Sequence, residues 1–322
     1  MRDVSAMRAG FPLSMNKAIK TVTRARVEAG RVARIILVLF AFVTWIATSG
    51  SLAAQEKSLL WQVSRADKSI FLLGSIHFLR KENYPLNKAI LAALDASKRL
   101  VLEIDLNRTS TESAQKATLE KAVYRDGTNL AQNVSPETYE LASRRANELG
   151  LDMRILNPMK PWFVALTMVA IKLQRMGLDP KLGVDRHLAE RAKSSGKPTS
   201  GLETLESQLG LFDQLSKREQ ELMLRETVGE LERLDKDINE IVQSWLKGDE
   251  TRLTTLLLTG MQEYPDLYEK ILVERNRRWL ADIEKLVQQG SGAMVVVGAA
   301  HLVGQDSVVE MLKAKGYSVE QR

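Results

Sequence analysis

Two stretches decide the fold: SIFLLGSIH at residues 69–77 and AMVVVGAAH at residues 293–301. Each is an apolar run of strand length followed by Gly-x-x-His, with Gly74 and His77 in the first and Gly298 and His301 in the second. Glycine permits a sharp exit and close backbone approach at the strand end. The histidine then projects from the carboxyl edge, where open α/β sheets bind ligands. The chain has three His in all, and Gly fills 19 of its 322 positions. Two of three His preceded by Gly at that spacing is about a one-in-a-hundred accident.

Further strands are expected outward from these two. Leu59–Val63 pairs with the first across a polar hairpin at 64–68, and Arg99–Leu106 (RLVLEIDL) reads as a buried strand. A short strand is expected over Lys197–Leu202 and a last one near Tyr317–Glu320. Helices alternate with them: Leu86–Ala96, the polar segments of 107–150, Pro161–Met176, Val184–Lys193 and about 307–315. From Glu203 to Gln289 the spacing is helical almost throughout. Within it, Lys217–Lys247 balances acids and bases around a line of Leu, Val and Ile, the pattern of a solvated helix face. The expectation is one α/β domain over 54–322, a mixed sheet flanked by helices, with a helical insertion over about 204–289. The two ends of this body should share the sheet.

Composition narrows the chemistry. With 44% hydrophobic and 27% charged residues, the chain is ordinary globular material. There is no Cys, so disulfides and thiolate metal sites are excluded. The net charge of +6 lies wholly in residues 1–53, which carry eight Lys/Arg and two acids, while 54–322 is neutral. No nucleic-acid partner is therefore inferred. Arg31 and Arg34 precede the apolar run Ile35–Thr48, and small residues follow it, with Ser51-Leu52-Ala53 fitting a cleavage site. That order is a secretory signal, and the run is short for a membrane span. The body is expected in the periplasm or secreted; the alternative is an uncleaved inner-membrane anchor with the body outside.

Glu103 sits inside an apolar run, where a buried carboxylate needs a cation, a metal or several donors. Glu203 follows another short apolar element in Gly201-Leu202-Glu203-Thr204. Two His and one or two carboxylates from separate strand ends would make a divalent-metal site suited to Zn, Mn, Co or Fe, the carboxylates favouring harder ions such as Mn. Asp185 and His187, near a helix start, are candidate site-lining residues, as are Glu203 and Asn276. Arg275, in Glu274-Arg275-Asn276, is a candidate clamp for a carboxylate or an oxyanion.

These segments, in this order, resemble the TraB/GumN family, and the resemblance covers essentially all of 57–322. It implies a fold similar to erythromycin-esterase and ChaN-like proteins. Animal relatives, the TIKI proteins, are membrane-tethered metalloproteases that depend on Mn or Co. By motif, the resemblance assigns metal binding to His77, His301 and Glu103. It assigns catalysis to Glu103, as ligand or general base, and to Arg275. Mn or Co is thereby expected over Zn, with a peptide or protein as substrate. Other relatives act in plasmid or pheromone shutdown, and GumN is encoded among exopolysaccharide genes. The leading expectation is a metal-dependent hydrolase, most simply a peptidase. The alternative is a non-catalytic ligand-binding or exopolysaccharide-associated protein of the same fold. The zincin motif His-Glu-x-x-His is absent.

Overall fold

The computed structural model describes residues 57–108 and 110–322. The basic and apolar leader, including Ile35–Thr48 and Ser51-Leu52-Ala53, lies outside the described residues. Six strands form one sheet: β1 (Leu60–Arg65), β2 (Lys68–Ser75), β3 (Arg99–Leu102), β4 (Thr199–Gly201), β5 (Ala293–Gly298) and β6 (Ser318–Gln321). Their order is β4-β3-β5-β2-β1-β6. β4, β3, β5 and β2 are mutually parallel, while β1 runs antiparallel to both β2 and β6. The architecture is the expected mixed α/β sheet.

Each residue of β5 is buried, as its unbroken AMVVVG run requires at the centre of a parallel sheet covered on both faces. β4 and β6 are short, which limits the unpaired backbone at the two edges. The two ends of the body meet as expected: Ser58 N–H donates to Arg322 O, and Arg322 N–H to Leu60 O, both at 2.7 Å. Six α-helices between Leu205 and Gln288 join β4 to β5, with a π-helical turn at Glu269–Val273. Trp245, in helix Leu234–Leu246, donates its indole N–H to Gly74 O at 2.7 Å and so fastens this helical region to the exit of β2.

Two local expectations are corrected. The strand starting at Arg99 ends at Leu102, so Glu103 opens the loop instead of lying within a strand. Its partner β4 has only three residues, and the ladder closes with Glu203 N–H donating to Glu103 O. The charged face of 217–247 is also not wholly solvated. Glu226 and Glu230 are buried, and burial raises both carboxyl pKa values although Arg225 and Arg233 sit beside them.

The parallel register aligns the strand exits. Gly74 pairs with Val297 and Ser75 with Gly298, so the two Gly-x-x-His turns leave the sheet side by side. Gly183, before helix Val184–Ser194, abuts the first turn: a Cβ there would lie 2.4 Å from His77 O and 2.8 Å from its carbonyl carbon. Gly183→Ala must therefore push the His77 backbone away, and is expected to lower stability by about 1–3 kcal/mol in thermal melting. Gly229→Ala, on an exposed helical position with nothing within 4 Å, is expected to be neutral or slightly stabilising.

Candidate functional site

The carboxyl ends of the four parallel strands each deliver one residue named above. Across the sheet these are Glu203 after β4, Glu103 after β3, His301 after β5 and His77 after β2. Gly298 marks their meeting point. A Cβ built on it would lie 3.2 Å from Glu103 Oε1, 3.7 Å from His301 Cδ2 and 3.9 Å from His77 Nε2. His77, Glu103 and His301 thus converge as expected, and Gly298 N–H donates to Glu103 Oε1 at 2.6 Å.

Arg275 fills the centre of this group. It lies in helix Glu274–Gln288, directly after the π-helical turn, and is 4% exposed. Nη2 donates to Glu103 Oε2 and to Glu203 Oε1, both at 2.5 Å, and Nη1 to His301 Nε2 at 3.0 Å. The guanidinium also stands 4.5 Å from the centroid of the Trp279 ring, one helical turn on. Among the described residues, no three imidazole or carboxylate groups stand together as a ready set of metal ligands. Arg275 occupies the Nε2 lone pair of His301 and one oxygen of Glu103.

The electrostatics follow from these contacts. Burial opposes charge on Glu103, but Arg275, His301, His77 and the Gly298 N–H outweigh it and bring its pKa down to about 2. Burial and the neighbouring Arg275 push His301 down to about 3, so its ring is neutral. Arg275 can only donate, which makes His301 Nε2 an acceptor and places the proton on Nδ1, where Asn276 Oδ1 accepts it at 2.6 Å. Asn276 is itself fixed by donating from Nδ2 to Asp306 O. Burial also opposes charge on His77. The Asp185 carboxylate, 2.9 Å from Nδ1, and Glu103 prevail and raise its pKa to about 9.

His187 was expected near the site but is placed elsewhere. It sits two residues after Asp185 on helix Val184–Ser194, on a different face. Its ring packs on Tyr84 at 4.9 Å between centroids, and burial lowers its pKa. Two residues that sequence reasoning missed are at the centre. Gln208, on helix Leu205–Asp213, donates from Nε2 to Glu103 Oε2 and Glu203 Oε1, both at 3.0 Å. Ser75, the last residue of β2, is 3% exposed. The signal for Gln208 was its place five residues after Glu203, in the first turns of a helix capped by Thr204. Ser75 stood inside the Gly-x-x-His turn itself.

A cavity of about 300 Å3 opens beside His77 and Glu103. Its polar groups, Ser75, His77, Glu103, Asp185 and Gln208, face an apolar wall that includes Phe78, Leu106 and Leu166.

With this arrangement in view, the comparisons become informative. The sequence profile of the TraB/PrgY/gumN family matches residues 59–321. The chain belongs to this family. It is 26% identical to the uncharacterized protein YbaP of Escherichia coli (strain K12), over 77% of this chain and 89% of that one. It is 21% identical to an uncharacterized protein of Treponema pallidum (strain Nichols), over 95% and 96% of the two chains. It is 24% identical to a protein named metalloprotease TIKI homolog from Amphimedon queenslandica, over 83% of this chain and 62% of that one. No solved structure matches significantly. Among the described residues, no helix is long and apolar enough to cross a membrane.

In this family member, Glu103, Glu203 and Arg275 form a buried ionic group that depends on all its charges. Arg275→Met is expected to leave two buried carboxylates unpaired and to lower stability by roughly 3–5 kcal/mol in denaturant unfolding. Adding Glu203→Gln to that variant should recover part of the loss, a coupling that a double-mutant cycle reads directly.

Proposed function

We propose that this chain is a metal-dependent hydrolase, most simply a peptidase, acting outside the cytoplasmic membrane. The observation that carries the reading is the convergence of His77 Nε2, Glu103 Oε1 and the His301 ring around Gly298. The donor set fits a divalent cation: two imidazoles and a carboxylate suit Mn, Co or Zn. Charge also fits once His77 is neutral: Glu103 and Glu203 pair Arg275 and Asp185 pairs His77, three carboxylates against one permanent cation. The likeness to a protein named metalloprotease TIKI homolog supports the same chemistry.

When bound, such an ion supplies Lewis acidity toward a carbonyl and lowers the pKa of water. The protein's own groups would do the rest. Asp185 orients His77 through Nδ1 and Asn276 orients His301 through Nδ1, so each ring turns its Nε2 inward. Glu103, with a pKa near 2, suits a ligand or charge partner better than a general base near neutral pH. Arg275, released from His301, would stabilise negative charge developing on a substrate oxygen. The apolar wall beside His77 keeps bulk water from one side of the centre.

A second reading is favoured by one observation: Arg275 satisfies Glu103 and His301 without any metal. On that reading the chain is a ligand-binding module. Hydrolysis of a mixed peptide library by the Mn-, Co- or Zn-loaded protein separates the two. His77→Ala and His301→Ala are each expected to remove bound metal and cleavage together. Glu103→Gln is expected to weaken metal binding and to slow cleavage by roughly 100-fold or more. Cleavage that survives both His substitutions, or none under any metal, would end the hydrolase reading.

The basic, apolar and small-residue order of residues 1–53 supports export. N-terminal sequencing of the exported protein is expected to start near Ala54. An intact terminus at Met1 or Met15 in the membrane fraction would show an uncleaved anchor.

A further inference from the structure

The cavity beside His77 is divided by chemistry. Its polar lining is Ser75, His77 and Glu103 from the strand exits with Asp185 and Gln208 from two helices, and the rest of its wall is Phe78, Leu102, Ile104, Leu106, Leu166 and Val296. None of these wall residues carries a charge, and the volume of about 300 Å3 is at the small end of ligand pockets. It holds one large side chain more readily than an extended chain.

Two of the polar residues that line it carry an atom with unused hydrogen-bonding capacity. Ser75 Oγ is buried and has no hydrogen-bond partner among the described residues. A buried hydroxyl without a partner is uncommon and marks a place where a ligand or water completes the bonding. Gln208 donates both amide hydrogens to Glu103 and Glu203, which leaves its Oε1 as an acceptor beside the same cavity. A peptide group has one donor and one acceptor and would complement this pair.

We infer that the cavity binds a bulky, uncharged apolar side chain of a peptide, next to the bond to be cleaved, while Ser75 Oγ and Gln208 Oε1 hydrogen bond the adjoining peptide group. A charged side chain would be desolvated against Phe78 and Leu166, and the carboxylates in the lining are already paired, Glu103 with Arg275 and Asp185 with His77. A small one would leave the wall uncovered. The cleaved bond rests on the hydrolase reading above; the binding preference does not.

The test measures binding and cleavage separately on the full-length protein. Fluorescein-labelled pentapeptides Gly-Gly-X-Gly-Gly, with X as Leu, Phe, Ala, Asp or Lys, are titrated by anisotropy in the presence of EDTA. The Leu and Phe peptides are expected to bind at least about ten-fold tighter than the other three, since one methylene in such a pocket is already worth that much. Leu166→Trp, which fills the cavity, should abolish the preference. Leu166→Ala, which enlarges it, should move the preference from Leu toward Phe, so that the inference does not rest on a single variant. Ser75→Ala should melt at the same temperature or higher, because it removes an unpaired buried hydroxyl, yet bind the Leu peptide about three- to ten-fold more weakly. A hydroxyl with only a structural role would not separate these two readouts.

Cleavage sites of the metal-loaded protein in a peptide library, read by mass spectrometry, supply the second arm. Equal binding of all five peptides would overturn the inference. So would cleavage with no apolar preference, which would leave the hydrolase reading standing. Preferential binding with no cleavage under any metal would uphold the pocket and overturn the hydrolase reading.

Discussion

A buried guanidinium must be paired on every side, and Arg275 meets that constraint by drawing three strand exits together. Glu203 comes from the end of β4, Glu103 from the end of β3 and His301 from the turn after β5. The attraction between these charges is strong because water is excluded, and the penalty for losing one partner is correspondingly large. Desolvation and pairing nearly balance in such groups, so the cluster defines geometry more than it adds net stability. It also holds the helix Glu274–Gln288 in one rotation, because the same turn presents Arg275 to the acids and Asn276 to His301. The π-helical turn just before it sets that rotation, and Ile271 O within the turn accepts a further Arg275 bond at 3.4 Å.

The sheet supplies the other half of the constraint. Parallel pairing brings four carboxyl ends to one edge, but convergence within bonding distance also needs thin backbone. Gly183 admits the His77 carbonyl and Gly298 leaves room for Glu103 and both imidazoles. The roles of the two histidines then diverge by environment. His77 meets a carboxylate and tends to the charged form; His301 meets a guanidinium and stays neutral. Holding a cation would require His77 to give up its proton first, because an imidazolium has no lone pair to offer at Nε2.

Much of this was legible in the amino-acid order because its signals are local. The apolar runs ending in Gly-x-x-His and the Gly-Leu-Glu-Thr segment each report a strand exit by short-range pattern, whereas the acid after RLVL reads as part of a longer strand. The partners across the edge were not legible. Whether Arg275 meets a substrate or Glu103 depends on how helix Glu274–Gln288 packs, and no local spacing encodes that. Gln208 reads as one more polar residue on a helix until two carboxylates are seen to share it. The premature end of β3 follows from the brevity of β4, a tertiary fact. His187 is a further case: its position near a helix start left both a site-lining and a core role open, and the helical turn directs its ring to Tyr84.

The central proposal is that the four strand exits, which meet at Gly298, frame one cation-binding centre. Anomalous diffraction from crystals of the protein soaked in Mn tests it most directly. The expected result is a single strong peak within roughly 2.0–2.2 Å of His77 Nε2, His301 Nε2 and a Glu103 oxygen, with the Arg275 guanidinium moved off His301. A peak elsewhere, or none while Arg275 still bonds both His301 and Glu103, would contradict the account.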